Sequence, residues 1–289
     1  MKQHFFKLLL PVLGAFGGCK DNPEQIPAYL DIKPFTVTET GPGKWQDIQE
    51  GWVYVNGEFL GAYTLPAQVP ALAAGSSEVL VFPGVKENGI ETTPNIYDFL
   101  TRYEIQTDLK AGELNPISPS TKYKTEIVFP WALDRTTFDG SSSIVFDDRD
   151  ADQATSYTLT TDGAFNGRSL KMTVDSLHPL IAIASEEAVL PTNGSQQAWL
   201  EINRRNDIDF TFYLIGFSNG GSEQQFPVYA FTTTDVWKKT YINLTEFLSN
   251  SGEGKHRLYF QVQLSKDSNG KFKQQSGTVR LDNIRLVHF

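Results

Sequence analysis

Three short segments in the second half of the chain set aromatic rings beside amides and a carboxylate at alternating positions. Ala198–Asn203 carries Trp199, Glu201 and Asn203 against Leu200 and Ile202. Arg257–Leu264 carries Tyr259, Gln261 and Gln263 against Leu258, Phe260, Val262 and Leu264. Asp209–Phe217 sets Thr211, Tyr213, Ile215 and Phe217 against Phe210, Phe212 and Leu214. Strand side chains alternate between faces, so each apolar set is expected in a core between sheets and each mixed set on an outer face. Rings can stack on the apolar face of a pyranose while Asn, Gln and Glu hydrogen-bond its hydroxyls, which is the chemistry of sugar binding. Tyr, Thr and Gln also suit any exposed strand, and such a face equally suits contact with protein. At this level both readings stand.

Catalytic chemistry has less to work with. After Cys19 the chain has only His178, His256 and His288, none paired at zinc-ligand spacing. It has no Gly-x-Ser-x-Gly nucleophile elbow and no phosphate-binding loop. A glycosidase needs two carboxyl groups flanking the bond, and the mixed face offers only Glu201. The acidic run Phe146–Asp152 lacks the Gly and closing Glu of an EF-hand and reads as a solvated loop. The expectation is a non-enzymatic protein.

Cys19 is the only cysteine. Residues 1–18 hold Lys2 and Lys7, no acid, and an apolar stretch Leu8–Phe16 that ends in small residues, the plan of a secretory signal. That stretch is about half of what a bilayer span needs. Phe16-Gly17-Gly18-Cys19 resembles the end of a bacterial lipoprotein signal, with Phe16 where Leu is usual. The resemblance implies cleavage before Cys19 and its diacylation, supplying the more than one acyl chain that stable anchoring takes. Lys20-Asp21-Asn22-Pro23-Glu24 resembles in part the export signal of Bacteroidota surface lipoproteins, which implies an outer-membrane protein displayed on the cell surface; a periplasm-facing position is the alternative.

Composition bounds the rest. The chain has 289 residues, a formal charge of −9 and an ordinary 40% of hydrophobic residues. An acidic chain without clustered Lys and Arg is a poor nucleic-acid binder and has no polybasic grip on anionic lipid. With Cys19 lipidated, no thiol remains for disulfides, metal or nucleophilic attack.

The elements that must position the mixed faces read as almost all β, with one helical turn at Leu244–Leu248. Beyond the signal (1–18) and tether (19–26), the first module spans 27–112. Its centre is the Asn56-Gly57 pair between apolar runs, a hairpin signal because a type I′ turn needs positive φ twice. Val53–Gly57, Leu60-Gly61, Leu65-Pro66, Ala74-Gly75 and Val79–Gly84 resemble the extracytoplasmic PEGA module, a small Ig-like β domain that implies a spacer or platform. Residues 113–125, polar and Pro-bearing, read as a linker. Residues 126–289 form the second module, with strands expected at Ser169–Val174, Ala198–Asn203, Asp209–Phe217, Val228–Thr232, Lys239–Leu244, Arg257–Leu264 and Thr278–Val287.

Gly167–Met172, Trp237–Leu244 and the closing Val279–Leu286 with its Leu-Asp-Asn-Ile run resemble carbohydrate-binding-module jelly rolls. This implies a β-sandwich and, at Asp282 with help from Asp139, a structural Ca²⁺ site; no other cofactor is expected. The functional expectation is a non-catalytic envelope lipoprotein that binds glycan through Trp199, Glu201, Asn203, Tyr213, Tyr259, Gln261 and Gln263. The alternative is a subunit of an outer-membrane assembly, secretion or uptake complex, with a β-barrel protein as partner.

Overall fold

The computed structural model describes residues 24–218, 221–251 and 254–289. Cys19, the signal segment and most of the tether therefore lie outside the described residues. Residues 24–26 carry no strand. Among the described residues no helix is long and apolar enough to cross a membrane.

The first module is a small β-sandwich. One sheet has the order β5-β1-β9, built from β1 (Ala28–Ile32), β5 (Ala67–Ala71) and β9 (Leu114–Ile117). A two-stranded ladder joins β2 (Thr36–Val37) to β10 (Ser120–Thr121). The larger sheet has β3 (Glu50–Val55), β4 (Glu58–Thr64), β6 (Gly75–Lys86), β7 (Pro94–Ile96) and β8 (Tyr103–Leu109), with β6 pairing β3, β7 and β8. Asn56 and Gly57 turn β3 into β4 with φ of 50° and 81°, the left-handed pair that the type I′ turn requires. Val53, Val55, Val79 and Val81 from this sheet meet Leu30, Ile32, Val69 and Ile117 from the other in one core.

Residues 113–125 do not form a linker. Pro116 sits in β9, opposite Asp31 in a parallel ladder with β1, and Ser120 and Thr121 pair with Thr36 and Val37. Pro is tolerated there because β9 is an edge strand. Beyond β10, Tyr123 packs into the seam between the modules.

The second module is a sandwich of two larger sheets. The first has the order β11-β14-β20-β17-β18, from β11 (Phe146–Asp148), β14 (Leu180–Ser185), β17 (Phe210–Phe217), β18 (Glu223–Phe231) and β20 (Lys255–Gln263), with β15 (Ala188–Val189) also on β20. The second has the order β12-β13-β21-β16-β19, from β12 (Thr158–Thr160), β13 (Ser169–Asp175), β16 (Ala198–Asn206), β19 (Thr234–Asn243) and β21 (Ser276–His288). The helical turn α1 spans Thr245–Ser249. Between the sheets lie Leu200, Ile202, Phe210, Phe212, Leu214, Leu258, Phe260 and Val262, the residues that alternation places inside. The chain is thus all-β, a small β-sandwich followed by a larger one.

Candidate binding faces

The seven residues expected to form one site stand on opposite outer faces of the second sandwich. Trp199, Glu201 and Asn203 belong to β16, which pairs with β19 and β21. Tyr213 on β17 and Tyr259, Gln261 and Gln263 on β20 belong to the other sheet. Alternation assigned each residue correctly to the outside of its own sheet, but no local pattern records which strands share a sheet.

The β16 face is sealed by the first module. Trp199 is 1% exposed and packs edge-on against Tyr97, ring centroids 5.4 Å apart. Around them Val85, Phe99, Leu100 and Tyr123 from the first module meet Tyr241 and Val287 from the second. Glu201, fully buried, is the hub of the seam. Its Oε1 accepts from the hydroxyls of Tyr97 and Tyr123, both at 2.7 Å. Its Oε2 accepts from Lys239 Nζ and Arg285 Nη1, both at 2.9 Å, and from Gln46 Nε2 at 3.1 Å. Arg285 also reaches the Pro42 carbonyl at 2.9 Å, and Lys239 the Trp45 carbonyl at 2.9 Å.

Burial alone would raise the Glu201 pKa, but Lys239 and then Arg285 outweigh it and hold the carboxyl below its usual range. Burial is also the first reason that the Tyr97, Tyr123 and Tyr241 phenols are pushed up, with Glu201 next, so they stay neutral donors. Main chain stitches the same seam: Asn88 N donates to the Tyr241 carbonyl at 2.8 Å, and Glu87 bridges Tyr241 in parallel. Trp199 and Glu201 are therefore structural, and a ligand cannot reach them. Tyr97 and Tyr123 lie 104 and 78 residues from Glu201, a separation at which no sequence pattern announces a contact.

The other outer face is only partly open, and it is curled: Ile215, Ala182, Ala184 and Tyr259 are buried in a small apolar cluster on it, while Thr211, Tyr213 and Gln261 are half-buried and Gln263 is exposed. Arg257, on the central strand β20, pairs with Asp147 on the edge strand β11 and, at 3.6 Å, with Glu223 on the far edge strand β18. Arg149, just past β11, pairs with the same Glu223. One carboxylate can serve both sides of a five-strand sheet only if the edges bend toward each other, so the face is a trough. Ala182 and Ala184 of β14 lie alongside Gln261 and Tyr259 and are buried with Ile215 beneath them.

Tyr213 and Tyr259 face each other across β17 and β20, edge-to-face at 5.4 Å. Tyr213 is half-buried and Tyr259 is 6% exposed, its hydroxyl 3.3 Å from Gln261 Oε1. Burial, followed by the neighbouring Tyr213, raises the Tyr259 pKa, so the phenol remains a hydrogen-bond donor. Thr211 lies opposite Gln261, while Gln263 is exposed at the end of β20. The arrangement offers aromatic rings beside amides and hydroxyls, closed at one end by the Arg257 ion pairs. Arg257 shares the parity of Tyr259 and Gln261, so its place on this face was readable from the sequence; its partners Asp147 and Glu223 were not.

Asp139 and Asp282 do come near each other. Burial, chiefly, with the negative charge of Asp139 adding to it, lifts the Asp282 carboxyl to about 7. Asp282 accepts from Ser169 Oγ at 2.6 Å and from Asn283 N at 2.7 Å, and Asp139 from Arg168 N at 2.6 Å. Two carboxylates supply at most four of the six to eight oxygens that Ca²⁺ takes. Among the described residues no group of three or more His, Cys, Asp or Glu gathers for a metal.

No protein-family model matches the chain. No curated protein matches it either. Among solved structures it is similar to the enzymatically active domain of a tailspike protein from bacteriophage CBA120, at 10% identity and a TM-score of 0.39. That match covers 55% of this chain and only 21% of the tailspike chain. It is also similar to the xylan-binding CBM22-1 domain from Paenibacillus barcinonensis, at 13% identity and a TM-score of 0.38, covering 55% of this chain and 93% of that one. A carbohydrate-binding module of the β-sandwich superfamily, described as promiscuous in specificity, matches at 16% identity and a TM-score of 0.37 over 91% of this chain and 99% of its own.

Proposed function

We propose that this chain is a non-catalytic glycan-binding lipoprotein of the cell envelope, with the trough on β20 and β17 as its binding face. The observation that carries the reading is the Tyr213–Tyr259 pair set in a curled sheet beside Gln261 and Thr211, with Tyr213, Gln261 and Thr211 in partial contact with solvent. A sugar chain laid in the trough would meet ring edges and faces together with amide and hydroxyl groups, the mix that fixes and orients a polyol. Cys19 would carry the acyl chains that hold the protein in the outer membrane, with the sandwiches displayed at the cell surface.

The test uses the whole chain after residue 18, because the first module seals half of the second. A glycan array followed by titration calorimetry should find a polysaccharide whose affinity falls about tenfold or more in Tyr213→Ala, a loss of about 1.4 kcal/mol. Wild-type protein that binds no glycan, or a Tyr213→Ala variant that binds as wild type does, would sink the reading. For the anchor, Cys19→Ala should move the protein out of the membrane fraction; a variant that stays there excludes lipidation as the tether.

A second reading, docking to an outer-membrane β-barrel protein, draws on a different surface. Ile26 and Leu72, 68% and 69% exposed, line a cavity of about 300 Å³ with Ala73, Ala74 and Ala111 at the end of the first module where the chain enters. Exposed apolar side chains grouped in this way suit a protein partner. Stoichiometric co-purification with a barrel protein, lost in Leu72→Asp, would favour this reading over the glycan one.

A further inference from the structure

A cavity of about 300 Å³ opens at the seam between the modules, lined by Trp45, Gln46 and Asp47 from the first and by Phe165, Asn203, Trp237 and Lys239 from the second. This is the low end of the volume range for small-molecule sites, about 300–1,000 Å³. Its three rings form a continuous half-buried cluster, with Phe165 edge-on to Trp45 at 5.2 Å and to Trp237 at 5.6 Å. Packing within a core does not call for rings left half in water, two of them indoles.

Asn203 is the second, independent sign. The residue is 5% exposed and lines this cavity, yet its carboxamide oxygen is buried without a hydrogen-bond partner. Nearly all buried polar atoms are satisfied, so an orphaned acceptor just behind a cavity wall is one that a turn of the carboxamide would offer to a donor in the cavity.

The charges narrow the ligand. The Lys239 ammonium is already matched by Glu201 at 2.9 Å, and Asp47 adds a carboxylate to the lining. An anion would meet the Asp47 carboxylate in the wall, while Lys44 and Arg205 are held against the Trp45 and Trp237 rings at 4.4 Å and 5.8 Å. A neutral polyol with one apolar face fits: its ring lies against indole while one hydroxyl donates to Asp47 and another meets the Asn203 carboxamide once it turns toward the cavity.

We infer that the seam between the two modules holds a second sugar site, in which Trp45, Phe165, Trp237 and Asn203 take a single neutral sugar unit. For its ligand class this site rests on the glycan-binding reading of the trough, but it uses none of the trough's residues. Both modules contribute walls, so it exists only while they are docked.

The test titrates the chain after residue 18 with methyl glycosides of glucose, galactose, xylose and mannose, following tryptophan emission and ligand NMR signals. At least one should bind saturably with a change in emission. Trp237→Ala should weaken it about tenfold or more, and Tyr213→Ala should leave it unchanged. Asn203→Ala should lose a similar factor while its melting temperature stays level or rises, because the variant removes an unsatisfied buried acceptor. That pairing distinguishes a binding role from a structural one even if Trp237→Ala folds poorly. The seam site is overturned if none of the four binds wild type or if binding survives Asn203→Ala. It is also overturned if Tyr213→Ala alone removes all sugar binding, in which case the trough stands; seam binding with no polysaccharide bound by the trough would instead support the seam and sink the trough.

Discussion

The face carrying Trp199 and Glu201 is shut under the first module, whereas the face carrying Tyr213 and Tyr259 is covered only by its own side chains and keeps Tyr213, Gln261 and Gln263 in contact with solvent. Both consist of aromatic and polar residues alternating with a core, and both belong to five-strand paths in the same sandwich. What separates them is the accounting of charge. On the closed face, Glu201, Lys239 and Arg285 are almost wholly removed from water, and the tyrosines and Gln46 of the first module satisfy what remains of Glu201. On the open face, Arg257, Arg149, Asp147 and Glu223 keep contact with water. A polar face built around a fully buried charged hub is an interface; one whose ion pairs close a single end and stay in contact with water leaves the other end available for a ligand.

The contrast can be broken most sharply at Glu201. Glu201→Ala leaves Lys239 and Arg285 buried without an anion and should cost about 3–5 kcal/mol in urea or guanidinium unfolding. A change under about 1 kcal/mol would mean that the seam opens to water and the closed face is not closed. Trp199→Ala should cost a comparable amount, about 3–5 kcal/mol, as expected for a large ring removed from a packed core. Near-neutral unfolding of that variant would return Trp199 to the surface.

Acid should separate the two sheets along the pH axis. His256, facing inward from the open-face sheet, is lowered to about 4 by burial, with Ser251 Oγ 2.6 Å from its Nε2. An unfolded histidine binds its proton near 6.5, so stability should fall as pH drops from about 6.5 toward 4. Glu201 is depressed to about 2, so its contribution should be lost as pH falls from about 4.5 toward 2, below the histidine step. Denaturation midpoints measured from pH 7 to pH 2 should show the first step vanish in His256→Gln and the second persist. A first step that remains in that variant would assign it to other groups.

The smallest effect is expected at Tyr213. Tyr213→Ala removes one ring of an edge-to-face pair on an open face and should cost no more than about 1.5 kcal/mol of stability. A larger loss would show the trough to be as structural as the seam.

How far these differences were legible follows from their range along the chain. Strand parity is a period-two property, so Leu200, Ile202, Phe212 and Phe260 were assignable to the core from a handful of neighbours. Sheet membership is not local, and it alone divides Trp199 from Tyr213. The strand Leu180–Ser185 carries no alternating signal because it is apolar on both faces: Ile181 and Ile183 fill the core, while Ala182 and Ala184 are buried on the other side. Pro116 and Pro119 gave 113–125 the composition of a linker, although an edge strand accepts proline as readily as a linker does. Neither the docking of the modules nor the seam cavity had any signature. Trp45 and Trp237 are 192 positions apart in the numbering and meet only through Phe165.

The entry of the chain into the first module has a mechanical consequence. Any load arriving from the residues before position 24 reaches β1, which is held antiparallel to β5 on one side and parallel to β9 on the other. A pull along β1 meets two ladders whose hydrogen bonds run across the direction of force, so they resist together instead of unzipping one by one. A tether that pulled in line with β1 would load that strand in shear, the geometry in which a short β-sheet bears drag best.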